Sequence, residues 1–157
     1  MACFASCKVT ADSYDPDAEG VLTLNEGDRV KLRRAPGGQR VALEASMRYR
    51  IVEHPKKGPW KVNTTGWVYE LYRADRRLLA FHWHPAATPD NVLPHLHAEA
   101  SARFRKHHIP TGRVLIEDVL TLAVELGANP IKDDWAAIMR KNRRNFVLGA
   151  TWGSIPS

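Results

Sequence analysis

Cysteine is scarce in this chain of 157 residues, which contains only Cys3 and Cys7. Two thiols cannot form the disulfide framework that holds a small secreted domain together. They could supply half of a zinc site, but the sequence has no second cysteine pair, so we expect free thiols at a frayed end of the chain. This cysteine usage favours a reducing cytoplasm.

Long apolar runs are missing as well. The sequence does not begin with a basic segment followed by an apolar run, which is the pattern of a signal peptide. No apolar stretch is long enough to cross a bilayer. We therefore expect a cytoplasmic protein with no membrane partner. Its length suits a single domain over residues 1–157 that buries a sizeable core.

Acidic residues are outnumbered by basic ones, because 23 lysines and arginines stand against 17 aspartates and glutamates. The formal net charge is +6 and the isoelectric point is about 9.6. A positive balance of this size favours anionic partners, among which RNA, DNA and an acidic protein are the classes to consider.

The distribution of apolar residues predicts an α+β fold, a curled antiparallel β-sheet with two C-terminal helices packed on it. Residues 1–42 form the N-terminal hairpin region, in which a turn at Asn25–Asp28 separates two strand-like runs. Residues 43–100 alternate apolar and polar side chains, as antiparallel strands do. Residues 114–147 carry the two helices. The second of these is expected to begin near Asp133 and Asp134 and to end in the basic run from Arg140 to Arg144.

Histidine is the residue type with the most informative distribution. Six of the seven histidines lie between residues 78 and 108, and four of them form the pairs His82-Trp83-His84 and His95-Leu96-His97. On an extended strand both imidazoles of such a pair point to the same side. A turn between Pro85 and Pro94 would bring the four rings together. The doublet His107-His108 is the weakest candidate of the group.

Two chemistries suit four converging imidazoles. Neutral imidazoles are ligands for zinc or a similar divalent metal, which makes His82, His84, His95 and His97 a possible metal site. Without a metal or any other cofactor, the same histidines could act as general acid and base on a phosphodiester. Cations nearby would then stabilise the charge that builds on the phosphate. These phosphate contacts are predicted at Arg103, Arg105, Lys106 and Arg113.

The order of motifs resembles the TumE-like toxin family of bacterial toxin–antitoxin pairs, over about residues 47–126. The matching positions are tyrosines on the strands, a proline-led histidine motif and an acidic helix start: Tyr49, Tyr69, Tyr72, Pro94, His95, His97, Glu117, Asp118, Val119 and Leu120. The resemblance implies a cytoplasmic toxin with a cognate antitoxin as its partner.

Together, these observations lead us to predict a toxin-type ribonuclease in which His82, His84, His95 and His97 are catalytic. The alternative is a module that binds a metal or another protein and has no catalytic activity. A non-functional interpretation also stays open, in which several of these histidines are ordinary surface or packing residues.

Overall fold

A computed structural model of the protein describes residues 3–53, 58–85, 93–99 and 107–149, with side chains as far as residue 145. These residues form an open antiparallel sheet of eight strands and two α-helices, which confirms the predicted α+β class. The elements are β1 (Val9–Ala11), β2 (Glu19–Leu24), β3 (Val30–Lys31), β4 (Val41–Glu53), β5 (Trp60–Arg73), β6 (Arg76–Trp83), β7 (His95–Ala98), β8 (Ile109–Pro110), α1 (Ile116–Glu125) and α2 (Trp135–Gly149).

The sheet is built around the long strands β4 and β5. Its strand order is β1-β2-β4-β5-β6-β7-β8, and β3 pairs with β4 beyond the end of β2. Strands β5 and β6 form a tight hairpin through Ala74 and Asp75. Strands β6 and β7 are also antiparallel neighbours, so the two histidine pairs lie side by side in the sheet.

One face of the sheet carries the hydrophobic core. On β5, Trp67, Tyr69 and Leu71 alternate with more polar residues, and their side chains pack with those of the helices and the N-terminal segment. Helix α1 packs on β5. The largest side chains with less than 2% exposure are Phe4, Val41, Leu43, Leu71, Val119 and Leu120. The side chains on this face of the sheet therefore form the hydrophobic core of the protein.

The N-terminal segment differs from the frayed end that we predicted. Cys3 is 5% exposed, and Phe4 is fully buried with its ring edge-on to Trp135, 5.7 Å between centroids. The carbonyl of Cys3 also accepts a hydrogen bond from the backbone N–H of Ile131, 2.6 Å away. Cys7 is half-buried, and both thiols are free. The prediction of free thiols is confirmed, but the frayed end is wrong because Phe4 anchors the segment in the core.

The N-terminal hairpin lies elsewhere than expected. Strand β1 pairs with β2, whereas β2 and β3 do not form a hairpin across the Asn25–Asp28 turn. Both strands run in the same direction along β4, where Thr23 is opposite Ser46 and Val30 is opposite Leu43. The turn thus connects two strands that pair one after the other with the same edge of β4, which is long enough for both.

The helices largely follow the prediction. Gly127 ends α1 with a φ of +107°, in the left-handed region of the backbone that favours glycine. Helix α2 continues beyond the basic run to Gly149, so the predicted end at Arg144 is wrong. The apolar residues after Arg144 contain no helix breaker before that glycine. None of the helices in the described ranges has both the length and the apolar character needed to span a bilayer.

Candidate metal centre

The histidines lie on the face of the sheet opposite the core. Alternation along β6 directs Phe81 and Trp83 to the core and His82 to the other face. His82 is opposite His95 on β7, and Ala80 is opposite His97, so these three histidines share one face. The side chain of Ala80 is fully buried and small, which leaves the space above it to the imidazole rings.

The four predicted site histidines form one cluster. The ring centroids of His82 and His97 are 4.9 Å apart, and those of His95 and His97 are 5.0 Å apart. His84, just after β6, extends the cluster, with its ring 5.9 Å from that of His82 and 5.4 Å from that of His95. The structure therefore confirms the convergence of the two pairs that their spacing predicts.

His108 is a fifth member of the cluster that sequence reasoning ranked lowest. Its ring stacks on that of His95 at 4.5 Å with an interplanar angle of 3°, and it lies 4.5 Å from that of His97. The short pairing of β8 with β7, in which Ile109 is opposite Leu96, brings it there. No pattern in the sequence indicates a two-residue strand that contains a proline.

Three of the rings bring their nitrogen atoms close together, as a metal site requires. One ring nitrogen from each of His82, His95 and His97 lies within 4.8 Å of the other two. Zinc ligands in tetrahedral geometry, each about 2.0–2.1 Å from the metal, are separated by roughly 3.3 Å. The cluster is graded in exposure, because His95 is 3% exposed whereas His108 is exposed to solvent.

The tautomer of His95 is set by its backbone contact. Its Nδ1 lies 3.0 Å from the carbonyl oxygen of Leu93. Since a carbonyl only accepts hydrogen bonds, Nδ1 carries the proton in the neutral ring and the lone pair is on Nε2. That Nε2 is buried and has no hydrogen-bond partner among the described residues. A histidine that binds a metal through one ring nitrogen typically donates the N–H of the other nitrogen to a backbone carbonyl or a carboxylate. His95 donates its Nδ1–H in this way to the carbonyl of Leu93.

Glu70 is a carboxylate that lies beside this triad. Its Oε1 lies 3.6 Å from Nε2 of His82, which is too long for a hydrogen bond but close enough for a charge interaction. Burial alone would raise the pKa of Glu70, but the His82, Tyr72 and Arg77 side chains together lower it to about 2. The carboxylate is therefore ionised throughout the physiological pH range.

The two outer histidines favour their neutral form. Burial lowers the pKa of His84, and His82, His95, Arg48 and His108 lower it further by repulsion between like charges. The pKa of His108 is also lowered, first by desolvation and then by His95 and His82. Neutral imidazole is the form that binds metal ions, so the mutual proximity of the rings suits a metal centre.

Of the four predicted phosphate contacts, the structure describes only Arg113. Arg103, Arg105 and Lys106 lie outside the described residues. The charge of Arg113 acts on Tyr69, whose ring stacks on Trp67 on the core face of the sheet. The structure thus places Arg113 within electrostatic range of Tyr69. Its role towards a phosphate stays a prediction.

Comparisons with protein-family models, with curated proteins and with solved structures found no match to this chain. They do not bear on the resemblance to the TumE-like toxins, which stays a prediction from the sequence.

Proposed function

We propose that this protein binds a transition-metal ion of the zinc class at His82, His95 and His97. The observation that carries the proposal is the buried, unpartnered Nε2 of His95, whose lone-pair character is set by the Nδ1 contact with Leu93. A buried polar atom without a partner is costly unless something binds it. A metal held with the two neighbouring imidazoles would satisfy it.

The donor set selects the kind of metal. Imidazole nitrogens suit zinc, copper, nickel and iron, whereas magnesium and calcium prefer oxygen ligands. Three protein ligands leave a coordination position open, which catalytic zinc sites keep for water or substrate. The rings of His84 and His108 lie 5.4 Å and 4.5 Å from that of His95, and His108 is exposed to solvent. The arrangement therefore suits a metal centre that an external molecule can reach.

The metal-free ribonuclease is less well supported by the geometry. A general acid and a general base must each come within hydrogen-bond reach of a different oxygen of the scissile phosphodiester. The rings of His82, His95 and His97 are 4.9–5.7 Å apart by centroids, so they contact one another and leave little room for a phosphate between them. Action on RNA and an antitoxin partner stay predictions from charge and resemblance.

Metal content is the first test of the proposal. The full chain would be purified without a histidine tag, analysed for bound metals by mass spectrometry and titrated with Zn²⁺ and Co²⁺. We expect one ion per chain and a Co²⁺ spectrum typical of a site with nitrogen ligands. The variant His95→Ala should lose this binding. The variant His107→Ala removes a histidine outside the triad and should keep it.

The wild type and His95→Ala also distinguish the metal centre from a metal-free ribonuclease. Total RNA would be incubated with the wild type and with His95→Ala, in each case with and without EDTA. Cleavage that survives EDTA and disappears in His95→Ala would favour metal-free acid–base chemistry over the metal centre. Absence of stoichiometric metal at micromolar concentrations would contradict the proposal directly.

A further inference from the structure

Glu70 occupies a fixed position beside the triad. It lies on β5 opposite Ala80, which precedes His82 by two residues on β6 and shares its face of the sheet. Glu70 is 8% exposed. The hydroxyl of Tyr72 donates a hydrogen bond to its Oε2 over 2.5 Å, and Nη1 of Arg77 donates to its Oε1 over 2.6 Å. Both oxygens of the carboxylate are thereby held, and Oε1 also faces Nε2 of His82.

Arg77 is itself held from the other side. Its Nε and Nη2 donate to Oε1 of Glu99 over 3.0 Å and 2.6 Å. A register shift between Leu71 and Tyr72 places Arg77 opposite Tyr72, on the same face as Glu70. Without this bulge, Arg77 would point to the opposite face. The bulge thus builds a chain of contacts that runs Glu99–Arg77–Glu70–His82.

The end of this chain faces His82, whose Nε2 is buried, lies 3.6 Å from Oε1 of Glu70 and has no hydrogen-bond partner among the described residues. An ionised carboxylate only accepts hydrogen bonds, so a ring nitrogen that faces it is favoured in its protonated form. We propose that Glu70 is a positioning residue, which keeps the ring proton of His82 on Nε2 and leaves the lone pair of Nδ1 for the metal. This inference rests on the proposed function for the identity of the ligand, but the location of the proton can be measured without any metal.

The matched pair of variants is Glu70→Gln and Glu99→Gln. Each removes one of the two carboxylates that hold Arg77, and Glu70→Gln also removes the charge 3.6 Å from Nε2 of His82. A purely structural role of the ion-pair chain would make the two variants equivalent. A positioning role makes them different at His82.

Two readouts would be recorded. The first is the tautomer of His82 in the metal-free protein, from long-range ¹H–¹⁵N correlation spectra at about pH 8.5, where imidazoles are neutral. The second is the Zn²⁺ affinity, from competition with a chromophoric chelator. We expect the Nε2–H tautomer in the wild type and in Glu99→Gln. We expect Glu70→Gln to lose that preference and to bind Zn²⁺ about 10- to 100-fold more weakly.

A wild-type His82 that carries its proton on Nδ1 would overturn the inference, and this measurement does not depend on any variant folding. Equal losses of Zn²⁺ affinity in Glu70→Gln and Glu99→Gln would also overturn it. A wild type that binds no metal would contradict the proposed function, whereas the tautomer of His82 would still decide whether Glu70 sets the position of the proton.

Discussion

Replacement of Glu70 by glutamine should make the stability of this protein less sensitive to acid. The carboxylate has a pKa of about 2 in the folded protein, against an ordinary value of 4.5. Its contribution to stability is therefore fully present above about pH 4.5 and is lost as the pH falls towards 2. Glutamine has the same shape but no charge, so Glu70→Gln behaves at every pH like the protonated wild type.

The size of the effect follows from the two pKa values. A tenfold change in proton affinity corresponds to about 1.4 kcal/mol, so the fall from 4.5 to about 2 corresponds to about 3 kcal/mol. The side chain is 11% exposed, so solvent screening reduces this figure little. At pH 7 we expect Glu70→Gln to be less stable than the wild type by about 3 kcal/mol. The difference should shrink below pH 4.5 and vanish only below about pH 2.

Urea denaturation of both proteins between pH 7 and pH 2.5, with EDTA present to remove any metal, measures this difference directly. Other carboxylates contribute to the acid sensitivity of both proteins and cancel in the comparison. A free-energy difference that stays constant over the whole pH range would show that Glu70 is not ionised in a stabilising network, and the reasoning about its contacts would fail.

Four further substitutions test the packing and one exposed ion pair. Gly66→Ala should cost about 1–3 kcal/mol in urea denaturation, because its Cβ would lie 2.9 Å from the carbonyl oxygen of Trp83. Gly112→Ala meets no atom within 4 Å and serves as its tolerated control. Phe4→Ala should cost about 3–5 kcal/mol, since its fully buried ring would leave a cavity, and a loss below 1 kcal/mol would contradict its place in the core. Arg143→Ala should change the free energy of unfolding by less than about 1 kcal/mol, because its ion pair with the α1 helix is 60% exposed on the arginine side, and a larger loss would refute this.

The sequence predicts the strands and the histidine cluster well because both depend on short-range alternation. Trp67, Tyr69 and Leu71 mark the core face of β5 by their period of two, and each histidine pair has the same period. The convergence of the pairs needed one further step, the pairing of β6 with β7, which the prolines on either side of the connection indicated. These parts of the fold require little knowledge of distant contacts.

The parts that sequence reasoning missed depend on contacts between distant residues or on irregular strands. Cys3 is buried because Phe4, next to it, meets Trp135 at the far end of the chain. The two strands on one edge of β4 cannot be distinguished from a hairpin by local patterning. Arg77 reaches Glu70 only through a bulge, so alternation alone places it on the wrong face. The contribution of His108 depends on a two-residue strand.

The most direct test of the metal centre is the stoichiometry of bound Zn²⁺ in the untagged wild type and in His95→Ala, measured side by side at equilibrium. The account predicts one ion per wild-type chain, with the midpoint of binding in the micromolar range or tighter, and no stoichiometric ion in His95→Ala. A wild type that remains free of metal, or a His95→Ala variant that binds Zn²⁺ as tightly as the wild type, would contradict it.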